Sequence, residues 1–337
     1  MAGLNATRLA SRAPGKLVVL GEYAVLEGAP AMVLAVDRYC RAAIGPSEDT
    51  RCHLLARTRE DSAVSFTPEA DSGFALVDAV VRNLPHAGAW RATLDSRELF
   101  TGGIKLGLGS SAAALTAWAG AWAAFTGQGP LVADAGTLRS LVDLHKASQG
   151  GAGSGIDVAA SLFGGVIRYQ LSALSEPGVS TARLPNSVGF AGVFTRSAAS
   201  TPDFLARYNA WRAAAPEETA AEVAALARIA EGGIGAAAAD DVDGFLAAVT
   251  DYGRCLEGLG ERMGARVVTR EHRGVNRIAE RFRISYKVSG AGGGDLGLAF
   301  SADPGALEQF KKAVAEDYDV IEFSVDRTGL RVEVAPG

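Results

Sequence analysis

The chain of 337 residues is short of the side chains that several kinds of chemistry require. Its three cysteines, Cys40, Cys52 and Cys255, lack metal-ligand spacing and cannot all pair. A disulfide framework is therefore excluded, and a reducing, cytoplasmic compartment fits best. Only four histidines occur (His53, His86, His145 and His272), none spaced four apart, so a zinc centre or a Ser-His-Asp hydrolase has no support. Basic residues are not in surplus: 33 Lys and Arg stand against 38 Asp and Glu, a net charge of −5. That balance implies no nucleic-acid surface. No stretch reaches the roughly 18 apolar residues of a membrane span, and the first dozen residues lack the apolar core of a secretory leader. What remains is an ordinary soluble composition, 48% hydrophobic and 21% charged, long enough for one large or two medium domains.

Glycine, by contrast, is abundant, with 41 residues, and it gathers in loops. The most telling is Gly107-Leu108-Gly109-Ser110-Ser111-Ala112-Ala113-Ala114, which follows a short apolar strand (Ile104 to Leu108) and opens an alanine-rich helix, Ser111 to Gln128. Glycines there let successive N–H groups turn toward one anion, and the positive end of the new helix faces the same point. Ser110 and Ser111 can cap that helix, or offer hydroxyls to a phosphate oxygen or a magnesium ion. An ordinary capped turn has the same look. The loop is neither Gly-x-x-x-x-Gly-Lys-Ser/Thr nor Gly-x-Gly-x-x-Gly. The small residues of the helix suit a central element lying close against a neighbouring backbone.

Along the chain, strands are expected at Gly15 to Leu20 and Ala31 to Val36, half-exposed strands between Arg38 and Phe66, and a helix over Phe74 to Leu84. A helix from Gly136 to Ser148 leads to a second glycine loop, Gln149 to Asp157, then a helix Val158 to Phe163 and a strand Val166 to Tyr169. The Ser/Pro/Gly-rich stretch from Leu171 to Ser187 reads as a domain boundary, which divides the chain into 1–185 and 186–337. Beyond a strand at Gly189 to Thr195 come four helices: Pro202 to Ala214, Glu217 to Ala239, Val242 to Gly260 and Val267 to Phe282. Ile284 to Val288 then enters a third loop, Ser289-Gly290-Ala291-Gly292-Gly293-Gly294-Asp295, followed by a strand to Phe300, a helix from Pro304 and two last strands, Asp319 to Ser324 and Gly329 to Val334. The order suits an α+β sandwich.

Three such loops, with Ala13-Pro14-Gly15-Lys16-Leu17 and Gly21-Glu22-Tyr23-Ala24-Val25 ahead of them, resemble the motifs of the GHMP small-molecule kinases, in the family's order. The resemblance runs from Ala13 to about Phe300. His145-Lys146-Ala147-Ser148-Gln149-Gly150 with Gly153-Ser154-Gly155-Ile156-Asp157-Val158-Ala159 is similar to the phosphomevalonate kinase branch, as are Ala35-Val36-Asp37-Arg38 and Asp295. Mevalonate kinases carry His-Gly-x-Pro-Ser-Gly-x-Asp instead. The implied fold is α+β with two domains, an N-terminal mixed α/β domain of ribosomal-protein-S5 type and a C-terminal ferredoxin-like sandwich. The implied activity is transfer of the γ-phosphoryl group of ATP to 5-phosphomevalonate with Mg2+, without nucleic-acid or membrane partners, by a monomer or homodimer.

The resemblance also assigns residues. Lys16 and Asp157 become the catalytic pair, and Gly107, Leu108, Gly109, Ser110, Ser111 and Ala112 the ATP phosphate loop. Ser111 becomes a magnesium ligand. Glu22, Tyr23, Ser154, Gly155, Arg196, Ser197, Ser200, Gly292 and Asp295 fall where this branch holds its substrate. Arg196 has the planar fork suited to a phosphate, while Lys105 and Lys287 are weaker candidates. Mevalonate kinases place a glutamate metal ligand where this chain has Lys146, which removes one protein carboxylate from the metal set. Other readings stay open: a GHMP enzyme with another acceptor (mevalonate or a sugar), a phosphorylated-mevalonate decarboxylase, or a nucleotide-binding sensor without turnover.

Overall fold

The computed structural model describes residues 8–148, 153–171, 177–197 and 201–335. The first part of the chain builds one large sheet with helices on one face. Its strands are β1 (Arg8–Leu20), β2 (Ala31–Pro46), β3 (Cys52–Arg57) and β4 (Ser62–Phe66), then helix α1 (Ala75–Asn83) and β5 (Trp90–Asp95). A small hairpin of β6 (Phe100–Thr101) and β7 (Ile104–Lys105) precedes helices α2 (Ser110–Phe125), α3 (Ala135–Ser148) and α4 (Ile156–Phe163). Strands β8 (Val166–Gln170) and β9 (Gly178–Ala182) complete this part.

The second part runs β10 (Gly189–Phe194), α5 (Thr201–Ala214), α6 (Pro216–Ala238), α7 (Val242–Arg262), α8 (Arg270–Arg281), β11 (Ser285–Val288), β12 (Leu296–Ser301), α9 (Pro304–Val314), β13 (Asp319–Ile321) and β14 (Arg331–Ala335). The second sheet has the order β11-β12-β10-β13, all antiparallel. The first has the order β14-β1-β2-β5-β3-β4, with β8 joined to β2 and β9 to β8; only the β3–β5 pair is parallel. This is the α+β architecture expected.

The elements differ from the sequence reading in instructive places. Between residues 171 and 187 lies β9, a strand of the first sheet, so the exchange from one sheet to the other falls after it. The last strand does not stay with the second sheet. It returns to pair with β1, Arg8 opposite Ala335 through Arg12 opposite Arg331, so residues near the C-terminus belong to the first sheet. The strand expected at Ile104 to Leu108 stops at Lys105 because Leu106 and Leu108 turn into the core, and the Leu108 carbonyl accepts from the Lys16 N–H at 2.9 Å. Helix α8 begins at Arg270, capped by Thr269, whose side chain accepts from the His272 N–H.

Helix α2 is the buried pillar that its small residues suggested. Residues on all its faces are buried, among them Ala112, Ala113, Leu115, Trp118 and Trp122. At Gly120 a Cβ would lie 2.8 Å from Leu330, which is how closely the helix approaches the segment leading into β14. Ser11 on β1 donates to the Ala117 carbonyl at 2.5 Å. Trp90, Trp118 and Trp122 pack ring on ring, with centroids 5.4–5.5 Å apart. On the far side of β1 and β2, α6 and α7 pack together, and α7 also meets β11. One continuous core thereby joins both sheets, from Leu17 and Val33 through Leu226 and Tyr252 to Phe194 and Phe300. The first and third glycine loops meet beside β1: the Val18 N–H donates to Ser289 Oγ at 2.9 Å, and a Cβ on Gly107 would lie 2.7 Å from Asp295 Cβ.

Candidate active site

The first glycine loop is shaped by two left-handed glycines, Gly107 (φ +73°) and Gly109 (φ +71°). Gly109 is the N-cap of α2, and no side chain caps the helix. Neither serine takes the capping role that the sequence allowed. The N–H groups of the first turn, at Ser110, Ser111 and Ala112, therefore have no intrahelical partner, and with the helix dipole they are an arrangement suited to an anion.

Lys16 is brought to this loop by β1. Gly15 lets the strand approach: a Cβ there would lie 2.9 Å from the Leu108 carbonyl oxygen. The Lys16 side chain is nearly buried, and Nζ donates to the Gly107 carbonyl at 3.1 Å. Asp157 arrives from the opposite direction, in the first turn of α4, whose N-cap is again a left-handed glycine, Gly155 (φ +84°). The two meet across Gly109, where a Cβ would lie 3.1 Å from Asp157 Cβ and 3.2 Å from Lys16 Cγ. Any larger residue at that position would displace one of them. Ser154 and Gly155 are fixed by Tyr169, whose hydroxyl donates to the Ser154 carbonyl at 2.5 Å.

The third loop closes the other wall. Tyr23, held at φ +61°, donates from its hydroxyl to the Ala291 carbonyl at 2.6 Å. Glu22 Oε1 accepts from the Gly290 N–H at 3.2 Å and from Lys287 Nζ at 2.5 Å, and both side chains of that ion pair are buried. Burial pulls the Lys287 ammonium below the usual lysine range, against the opposing pull of Glu22. The second Glu22 oxygen, Oε2, is buried with no hydrogen-bond partner. Asp295 lies against the phosphate loop, since a Cβ on Gly107 would come within 2.8 Å of its Oδ2. Gly292 packs on the Val267 carbonyl instead of opening into the cleft.

Between these walls is a cavity of about 130 Å3, lined by Lys16, Glu22, Tyr23, His145, Ser154 and Asp157 among others. His145 received no role from the sequence. It is buried on α3, its Nε2 is 3.0 Å from Ser111 Oγ, and burial holds its pKa down while Asp157 pulls it up. Thr201, the end of the segment Thr195 to Thr201 that the resemblance sets at the substrate, lines the cavity as well, together with Pro202 and Leu205 at the start of α5, which the sequence reading did not single out.

Arg196 lies elsewhere. Its guanidinium pairs with Asp319, Nε to Oδ2 at 3.1 Å and Nη2 to Oδ1 at 2.5 Å, on the exposed surface and not on the cavity wall. Ser197 contributes its carbonyl to the Asp295 N–H at 2.6 Å. Ser200 lies outside the described residues. Lys105 is exposed, and Lys146 is only half-buried. Among the described residues no group of three His, Cys, Asp or Glu side chains could hold a metal. Oxygen donors near this loop include Ser111 Oγ and the carboxylates of Asp157 and Asp295, a set that fits a hard cation held mainly by phosphate oxygens and water.

A second histidine steadies the third loop. His272 Nε2–H donates to the Gly294 carbonyl at 3.1 Å, so Nδ1 is the acceptor for the Tyr286 hydroxyl at 2.6 Å. Burial lowers its pKa from 6.5 to about 4. Above pH 6.5 this contribution to stability is fully present; as the pH falls, the unfolded chain takes up the proton first and the folded chain only near pH 4. Stability is expected to drop by roughly 3 kcal/mol over that interval from this group alone. Urea unfolding measured at several pH values checks it: the slope should be shallower in His272→Gln, and an unchanged slope would assign the loss to other groups.

No protein-family model matches the chain. A phosphomevalonate kinase of Streptomyces sp. strain CL190 is 29% identical over 85% of this chain and 88% of its own length. A mevalonate kinase of Aeropyrum pernix is 30% identical over 47% of the chain and 49% of its own length. Among solved structures, a Lin0012 protein from Listeria innocua superposes with a TM-score of 0.86 at 23% identity, covering 97% of this chain and 100% of that one. Streptococcus pneumoniae phosphomevalonate kinase, in complex with phosphomevalonate and AMPPNP, superposes with a TM-score of 0.80 at 19% identity, covering 94% and 99%. The homologues and structural neighbours of the chain include phosphomevalonate kinase and mevalonate kinase, members of the GHMP kinase superfamily, and the fold is theirs.

Proposed function

We propose that the protein is a phosphomevalonate kinase, which transfers the γ-phosphoryl group of ATP to the phosphate of 5-phosphomevalonate and releases ADP and 5-diphosphomevalonate. The observation that carries a phosphotransferase reading is the convergence of Lys16 and Asp157 across Gly109, at the open N-terminus of α2. The choice of acceptor is supported by the phosphomevalonate kinase relative, which aligns along 88% of its own length. The mevalonate kinase relatives align along 49–64% of theirs.

The residues divide the work as follows. The first-turn N–H groups of α2 receive the nucleotide phosphates, and Lys16 neutralises charge growing on the transferred group. Asp157 orients the acceptor and Lys16. An incoming phosphate is already an anionic nucleophile, so little proton abstraction is needed. Glu22, Tyr23, Ser154 and Gly155 form the acceptor pocket, and the Glu22–Lys287 pair fixes the third loop over it. A magnesium ion bound beside Ser111 and Asp157 would supply further charge neutralisation. We place the enzyme in the cytoplasm; among the described residues no helix is long and apolar enough to cross a membrane.

The test is ADP release from magnesium-ATP with mevalonate, 5-phosphomevalonate or 5-diphosphomevalonate as acceptor. The reading expects kcat/KM for 5-phosphomevalonate to exceed that for mevalonate by at least about a hundredfold, because a site that takes a phosphate as its nucleophile discriminates strongly against an acceptor that lacks one. Equal or higher kcat/KM with mevalonate would make the protein a mevalonate kinase. Carbon dioxide released with 5-diphosphomevalonate would make it a decarboxylase.

A further inference from the structure

Ser111 has one hydroxyl proton, and what it does with that proton decides what it can bind. It lies in the first turn of α2 yet caps nothing there, and its Oγ is 3.0 Å from His145 Nε2. His145 comes from α3, is 8% exposed, and shares the cavity wall with Asp157. A buried ring of this kind is kept neutral by the cost of desolvating a charge, so one of its nitrogens is an acceptor. The loop already has donors for phosphate in the N–H groups at the head of α2. No cluster of three His, Cys, Asp or Glu side chains stands ready for a cation among the described residues, so a hydroxyl oxygen added to the set matters.

We propose that His145 is a positioning residue that makes Ser111 an acceptor. The imidazole carries its hydrogen on Nδ1, Ser111 donates its proton to Nε2, and both lone pairs of Oγ are left for a divalent cation on the nucleotide. The opposite tautomer would free the Ser111 proton and turn the same side chain into a phosphate donor. The inference rests on the loop's being a nucleotide phosphate site and is independent of the acceptor substrate.

Two measurements test it. Nitrogen-15 NMR of the histidine rings in the nucleotide-free protein should show Nε2 of His145 unprotonated, with a shift that moves in Ser111→Ala. A protonated Nε2 would overturn the proposal. Calorimetric binding of AMPPNP, with and without Mg2+, supplies the second readout. Ser111→Ala and His145→Ala should each weaken the magnesium-dependent affinity by about tenfold, the usual penalty for losing a group that orients a metal ligand. The double variant should be no worse than Ser111→Ala alone. His145→Gln, which puts an acceptor oxygen within similar reach, should recover most of the loss. Additive losses, or a loss equally large without Mg2+, would overturn the cation role. A wild type that binds no AMPPNP in either condition would overturn the nucleotide reading and the cation role with it, while the ring shifts would still decide the tautomer.

Discussion

Replacing Asp157 by Asn is expected to lower kcat by about 10³-fold or more while ATP affinity stays within a few-fold of wild type. The substitution keeps size and shape, so the contact across Gly109 survives and the phosphate loop stays intact. What is lost is the negative charge in the first turn of α4, which in the proposed mechanism orients Lys16 and the acceptor. The acceptor phosphate has a second pKa near 6, so most of it is already doubly charged at neutral pH. A variant lacking only a base would regain activity as the pH rises; this one should not. Steady-state kinetics across pH, with calorimetric nucleotide binding as the control, decide the matter. Near-normal turnover in a folded variant would remove Asp157 from the mechanism.

Lys16→Met should reduce kcat by about 10²–10³-fold, the range found when one preorganised donor to a developing charge is removed. Methionine fills much the same space, and the hydrogen bond lost to the Gly107 carbonyl is a single partly buried one. Folding should therefore be nearly unchanged. Lys16→Arg should not restore activity. The compact ammonium donates to the Gly107 carbonyl at 3.1 Å, and a planar guanidinium on a longer stem does not place its charge at the same point. Both variants should be read by kcat and by melting temperature. A kcat within about threefold of wild type in Lys16→Met would assign the lysine a structural role only.

Much of this arrangement was legible before the structure. The three glycine loops stood out because backbone conformations with φ above zero leave a compositional trace, and the small residues of α2 foretold a helix buried on every side. That Lys16 and Asp157 both flank Gly109 was legible only through family resemblance, because 141 positions separate them and no local spacing records their proximity. The Glu22–Lys287 pair was hidden for the same reason, at a separation of 265 residues. His145 was legible as part of a family motif but not as a partner of Ser111, since a lone histidine on a helix reads alike whether it faces core or cleft. Arg196 shows the converse: its side chain suited a phosphate, but an aspartate on β13 stands beside it. The return of β14 to β1 depends on a five-residue strand at the chain's end, too short for its alternation to name a partner.

The central claim is that a phosphoryl group is moved onto a phosphate. The most direct measurement is phosphorus-31 NMR of the product formed from magnesium-ATP and 5-phosphomevalonate. Two mutually coupled phosphorus signals in the product, appearing in step with ADP, are the expected result, because they require a new phosphoanhydride bond. A product with a single uncoupled phosphate, or a second isolated phosphate ester, would place the transferred group on a hydroxyl and contradict the account.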